Sequence, residues 1–271
     1  MPELPEVQTI VNELSGSIIG RSIQSCEVLR GSVINGDSCR FTQNIVGRNI
    51  NSVSRKGKYI LFSLSGDCWL VIHLRMTGKL ILKEIPLEPN SHNRVIFYLD
   101  KKEALVFNDI RCFGRLEFEK NIKNHKGIKK LGWDPWNKNL TAKRFSQKVG
   151  NRQTSIKSIL LDQRIISGLG NIYVAEILFD AEVNPLVAAN SLSESQISKL
   201  LKSTRKILTL ALKHNGTSIS DFRRIDDKQG DFQNFLKVYG KEGHLCIKCN
   251  SKIKKITQNQ RSTYYCPWCQ R

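Results

Sequence analysis

The spacing Cys246-x2-Cys249-x16-Cys266-x2-Cys269 constrains this chain more than any other feature. Two CxxC knuckles at that separation fold back on each other and present four thiolates as a tetrahedron, the geometry zinc prefers. Four protein ligands leave no position open to a reactant, so one structural Zn2+ is expected there. Between the knuckles, "KIKKITQNQRSTYY" reads as two strand-like runs around a polar turn with Arg261 at its tip. Eight cysteines, with no early segment joining basic residues to a long apolar run, point to a reducing cytosol and to metal binding over disulfides.

Charge indicates what such a chain would meet. Lys and Arg number 43 against 24 acids, a formal net charge of +19 over 271 residues. The simplest counterpart of that excess is a polyanion, nucleic acid before an acidic membrane. The richest apolar stretch, "YILFSLSGDCWLVIHLRM", is broken by Asp67 and alternates like paired strands, so no membrane span is read.

The length suggests two or three modules. "MPELPEV" reads as a helix start, since Pro suits the first turn and Glu the positive end of the helix dipole. Val7, Ile10, Val11 and Leu14 then form one helical face, ending near Gly16 or Gly20. From about 22 to 119 the texture is short and β-branched, with "SIQSCEVL", "YILFSLS", "CWLVIHL", "RVIFYLD" and "GRLEFEK" as strands of a sandwich or barrel. A Lys-rich, turn-rich stretch at about 120–150 marks a connection. Helical patterning follows in "SIKSILLDQ", "NIYVAEILFDA" and "SESQISKLLKSTRKILTLALKH", the last stopping near Asn215-Gly216. "DFRRIDDKQGDFQNF" reads as a mobile loop before the Cys-rich module.

Smaller motifs carry weaker signals. In "GLGNIYVAE", Gly168 and Gly170 precede a helix beginning near Asn171, whose free N–H groups suit a phosphate, although such entries are often only tight turns. "RKGKYI" places Lys58 at a strand start, and "IHLRMTGKL" places His73 and Met76 on another; by themselves these read as a solvated lysine, a structural histidine and a core methionine. "NDIRCFGRLEF" puts Arg111 and Phe113 on one face, which suits insertion between bases or plain Arg-over-Phe packing.

Taken in order, "PELPEV", "RKGKY", "HLRMTG", "DIRCFG", "SGLGNIYVAE" and "RSTYYCPWCQR" make the chain similar from end to end to the bacterial formamidopyrimidine-DNA glycosylases. Jointly the motifs are highly specific. The resemblance implies an α+β, multi-domain fold: an N-terminal helix plus antiparallel β-sandwich, a helical helix–two-turn–helix domain and a C-terminal zinc ribbon. The expected limits are 1–130 for the catalytic sandwich and 131–150 for the connection. A DNA-binding helical domain with a lesion-recognition loop is expected over 151–235, and the zinc finger over 236–271.

The same resemblance implies a bifunctional enzyme of base excision repair that excises oxidised purines and cleaves the abasic strand by β,δ-elimination. Its substrate would be double-stranded DNA carrying 8-oxoguanine, formamidopyrimidines or abasic sites, met by a monomer in the cytoplasm at the nucleoid. Removal of Met1 would make Pro2 a nucleophilic amine, with Glu3 moving protons beside it and Glu6 orienting the helix. Lys58 would contact phosphate and assist proton transfer. Arg261 would grip the lesion's phosphates. Asn171, His92, Arg152 and, more weakly, His73 would bind DNA. Met76, Arg111 and Phe113 would fill the gap left by the flipped nucleotide, Arg111 also bonding the orphaned base. Cys246, Cys249, Cys266 and Cys269 would hold the zinc. Two departures stand out: Gln260 where many relatives have Gly, and Ala175 where many have an acid. The alternatives are an endonuclease VIII-like enzyme acting on oxidised pyrimidines, and a catalytically dead zinc-ribbon DNA-binding protein.

Overall fold

A computed structural model describes residues 1–100, 102–219 and 222–271 as two compact units. The first comprises Met1–Lys129 and His214–Gln233, the second Lys130–Lys213 and Asn234–Arg271. The loop segment that the sequence reading attaches to the helical region therefore clusters with the N-terminal part. Of the expected lesion-recognition loop, Ser220 and Asp221 lie outside the described residues.

The first unit opens with α1 (Leu4–Ser17), whose Leu4, Val7, Ile10, Val11 and Leu14 are all buried. After it come β1 (Ile23–Val28) and α2 (Ser38–Ile45). Seven strands follow: β2 (Ile50–Lys56), β3 (Tyr59–Leu64), β4 (Cys68–His73), β5 (Gly78–Glu84), β6 (Asn93–Leu99), β7 (Glu103–Asp109) and β8 (Arg115–Glu119), and then short α3 (Lys126–Lys129). They pair as two antiparallel four-stranded sheets, β1-β6-β7-β5 and β2-β3-β4-β8. Alternation decides what faces inward. Ile60, Phe62, Leu64, Leu70 and Ile72 of one sheet meet Val95, Phe97, Leu105 and Phe107 of the other in one core that also takes the apolar face of α1. Each such side chain, fully buried, stabilises by roughly 1.5–3 kcal/mol. The opposite parity, Leu61 and Val71, packs under Ile128 of α3 on the outer face.

The second unit contains α4 (Ala142–Val149), α5 (Ile156–Leu161), α6 (Asn171–Ala181), α7 (Glu194–Lys213) and the hairpin β9 (Lys254–Gln258) with β10 (Arg261–Tyr265). Helix α4 forms inside the stretch read from sequence as a connection, started by Thr141, whose side chain accepts the Arg144 amide. Helix α6 is apolar nearly all round and buried from Tyr173 to Phe179, so it is the centre of its unit. Helix α7 is amphipathic, capped reciprocally by Ser193 and Gln196. It ends where Asn215 and Gly216 take positive φ. Among the described residues no helix is long and apolar enough to cross a membrane.

Candidate active site and nucleic-acid interface

The first turn of α1 is fastened by its own acids. Glu3 is the N-cap and forms a reciprocal capping box with Glu6, the Glu3 amide donating to Glu6 Oε2 at 2.7 Å. The other Glu6 oxygen accepts the Thr217 amide at 2.7 Å. Pro2, Glu3 and Glu6 are buried while Met1 is exposed. One bidentate carboxylate thus fixes the backbone beside Pro2, which is a larger task than a helix start requires.

Lys58 stands in the two-residue turn between β2 and β3, where Gly57 supplies the positive φ such a turn needs. It is buried, as is His73 at the end of β4. His73 Nδ1 accepts the Arg75 amide at 3.0 Å, which leaves its proton on Nε2. Burial first, then the charges of Arg75 and Lys58, push the His73 pKa down to about 3. Its imidazole is therefore neutral at physiological pH. An unfolded histidine takes a proton below about pH 6.5, whereas this one does so only near pH 3. Its contribution to stability is complete above about pH 6.5 and is lost as pH falls through that window. Urea midpoints of the wild type should accordingly fall more steeply between about pH 6.5 and 4.5 than those of His73→Gln. Parallel pH profiles would contradict a buried, neutral His73.

Nearby, His125, Glu117 and Glu119 form a group of the kind that holds metals. However, His125 Nδ1 accepts the Ile128 amide at 3.0 Å, so the Nε2 proton faces Glu117 at 3.4 Å. In that arrangement the His125 ring has no free lone pair to offer an ion.

Two neighbouring turns carry the large exposed side chains. Met76 is 41 % and Phe113 45 % exposed, and the Arg111 guanidinium sits 4.6 Å over the Phe113 ring. Asp109, fully buried, joins the two turns. Its carboxylate takes the Thr77 hydroxyl from the Met76 turn, and the Arg111 amide at 3.2 Å and the Gly114 amide at 2.8 Å from the other. The His92 carbonyl accepts the Asp109 amide at 2.9 Å, which brings His92 to the same edge. Gly114 is needed there, because a Cβ would lie 2.4 Å from the Phe107 ring. Sequence reasoning passed over Asp109, although an acid closing an apolar strand inside "FNDIRCFG" was a visible signal.

In the second unit Arg261 follows a two-residue turn in which Asn259 and Gln260 both have positive φ. Gln260 thus occupies the position where a glycine would be unstrained. The hairpin is gripped from two helices. Asn171 Nδ2, at the start of α6, donates to the Ser262 carbonyl at 2.9 Å. Lys157 of α5 donates to that carbonyl at 2.9 Å and to Thr263 Oγ1 at 2.6 Å. Burial and then the Arg261 charge pull the Lys157 ammonium down to about 8. Lys157 was also missed; its signal was a lysine inside the apolar run "SIKSILL". Lys157, Arg164 and Arg261 line one cavity with Asp162 and Asn259. Arg152 lies at its edge, 4.0 Å from Asp162.

The four C-terminal cysteines come together, their sulfurs all within 4.8 Å of one another. Cys246–Cys269 and Cys249–Cys266 stand 3.9 and 3.4 Å apart. Four thiolates at about 2.3 Å from a tetrahedral zinc are about 3.8 Å from each other, so the donor set fits that ion. Amides of Lys248 and Cys269 donate to the Cys246 and Cys266 sulfurs, each at 3.4 Å. None of the eight cysteines is paired in a disulfide.

The N-terminal domain of formamidopyrimidine-DNA glycosylases matches residues 1–116, and the H2TH domain of the same enzymes matches 131–223. The formamidopyrimidine-DNA glycosylase of Carboxydothermus hydrogenoformans is 43 % identical over 272 residues, all of both chains. That of Rickettsia africae is 38 % identical over all of this chain and 99 % of its own. A solved Lactococcus lactis mutant enzyme in complex with DNA containing Fapy-dG is 35 % identical, with a TM-score of 0.94 over the whole of both chains. The chain belongs to the formamidopyrimidine-DNA glycosylase family.

Proposed function

We propose that the protein excises oxidised purines from duplex DNA through Pro2 and then cleaves the abasic strand. The observation that carries this reading is the N-terminal turn, where Glu6 holds the backbone at Glu3 and leaves Pro2 at the end of a fixed helix. Once Met1 is removed, Pro2 is a free α-amine with a pKa near about 8, so a useful fraction is unprotonated at neutral pH. Its lone pair forms a bond to C1′ while the C1′–N bond breaks; the base leaves with that electron pair and takes up the proton that the Pro2 nitrogen sheds. Glu3 donates a proton to O4′ as the sugar opens, leaving an iminium. Loss of a 2′ proton then expels the 3′ phosphate, and a second elimination expels the 5′ phosphate. Lys58 and Arg261 would neutralise those phosphates, with His92, Arg152, Asn171 and His73 as further contacts.

Asn171 donates one amide N–H to the Ser262 carbonyl, so it would also support DNA binding by holding the Arg261 hairpin. Bound at Cys246, Cys249, Cys266 and Cys269, a zinc ion would supply cross-linking only. The enzyme is proposed to act as a monomer in the cytoplasm. Relatives were solved with DNA containing Fapy-dG, an abasic site and an oxidised pyrimidine, so duplexes bearing one defined lesion each are the direct test of substrate class. Release confined to pyrimidines would overturn the purine assignment.

The wedge supplies a second test. Extruding a base costs a few kcal/mol of stacking and pairing, which Met76, Arg111 and Phe113 would offset in part. Phe113→Ala and Met76→Ala should slow release of a paired lesion by about tenfold or more, and cleavage of a preformed abasic site much less. Equal losses on the two substrates would point to a disturbed sandwich edge.

A further inference from the structure

Helix α1 carries Glu6 and Glu13 seven residues apart, which is two turns, so both lie on one face. Each receives a backbone amide from the same irregular segment. Glu6 accepts the Thr217 amide at 2.7 Å, and Glu13 Oε2 accepts the Ile225 amide at 3.2 Å. The other Glu13 oxygen takes the Arg224 guanidinium Nε–H. Ile225 is held a second time, because its carbonyl accepts the Leu82 amide of edge strand β5 at 3.0 Å. Its side chain and that of Phe222 enter the sandwich core. The foot of the segment is closed by Phe232 N–H to the Gly216 carbonyl at 3.0 Å and Gly230 N–H to Ser218 Oγ at 2.9 Å. A Cβ on Gly230 would lie 2.3 Å from the Asn215 carbonyl, so the two sides pass at backbone contact.

Both flanks of this segment are therefore mounted on the helix that ends in Pro2. Through Glu6, the Thr217 amide is one carboxylate away from the Glu3 amide. A base attached to a sugar under attack by Pro2 would therefore stand close to the near flank. A planar heterocycle is discriminated by hydrogen bonds to its polar edge, and those need donors and acceptors that stay in place.

We propose that Glu13 is a positioning residue for base release: by holding Arg224 and the Ile225 amide, it fixes the far flank of the segment that senses the extruded base. This rests on the base-release reading above. The Glu13–Arg224 pair is partly buried, so it is screened less than a surface ion pair, and removing one partner strands the other.

The test compares single-turnover base release from a formamidopyrimidine duplex with strand cleavage of a preformed abasic duplex, for each full-length variant. Glu13→Ala should lower the ratio of the two rates about tenfold. Glu13→Gln, close in shape but uncharged and with one acceptor in place of two, should give an intermediate fall. Adding Arg224→Ala to Glu13→Ala should cost little more, because both belong to one latch. A ratio within about twofold of wild type in both single variants would overturn the inference, as would parallel loss of both activities. Wild-type enzyme that releases no base would instead overturn the reading beneath it.

Discussion

Borohydride added during turnover should convert the protein into a stable protein–DNA adduct, with the DNA mapped to Pro2. An iminium accepts hydride, whereas a non-covalent complex does not, so trapping isolates the covalent step. Retained Met1, or one extra residue before Pro2, turns the amine into an amide whose lone pair is delocalised. Trapping should then fall to background, and base release by at least about a hundredfold, while DNA affinity stays close to wild type. Pro2→Gly keeps an α-amine and should retain some trapping. Glu3→Gln should depress base release by about a hundredfold or more without unfolding the chain, since shape and the cap acceptor are nearly conserved. The competitor is Lys58, a buried amine in the same unit. A peptide map placing the DNA on Lys58, with Pro2 unmodified, would reduce the opening motif to a helix start.

What could be read from sequence divides along physical lines. Period-2 and period-3.6 patterns located α1, most strands and α5 to α7, because each buries one clean apolar face. Helices α2 and α4 were missed: each is eight residues long with only two buried side chains, too few for a pattern. The cysteine cluster was legible because a spacing encodes its geometry. The residues that organise the site were not. Lys157 and Glu13 hold a backbone carbonyl and a backbone amide far along the chain, and Asp109 takes the hydroxyl of distant Thr77; a residue type can hint at such a task, but no local pattern names the partner. The same is true of Glu176, whose carboxylate accepts three successive amides from Lys237, Val238 and Tyr239 at 2.8 to 2.9 Å. Nor did the sequence reveal that "DFRRIDDKQGDFQNF", read as a mobile loop, puts Phe222 and Ile225 into a core.

Removing the metal should have the other large effect. The β9–β10 hairpin has two five-residue strands, and an isolated two-stranded ribbon is marginal in water. Its turn end is tied by Asn171, Lys157 and the Gln258 and Asn259 side chains, which donate to Ser155 and Ser158. Its open end has the four cysteines, packed with Ala175, Phe179, Val238 and Ile253. Four sulfurs this close repel one another as thiolates unless a cation sits between them. Metal binding in zinc-finger peptides is worth about 10–16 kcal/mol, far more than the hydrogen bonds at the turn supply. One zinc per chain is therefore expected by elemental analysis, and Cys249→Ser or Cys266→Ser should lose it. The hairpin would then fray from the cysteine end, Arg261 would no longer be presented, and DNA affinity should drop by about a hundredfold or more. The sandwich has its own core and should keep its near-ultraviolet circular dichroism, which separates a lost ribbon from a lost fold. Full DNA binding and base release by a protein carrying well under one zinc per chain would show that packing alone holds Arg261 in place.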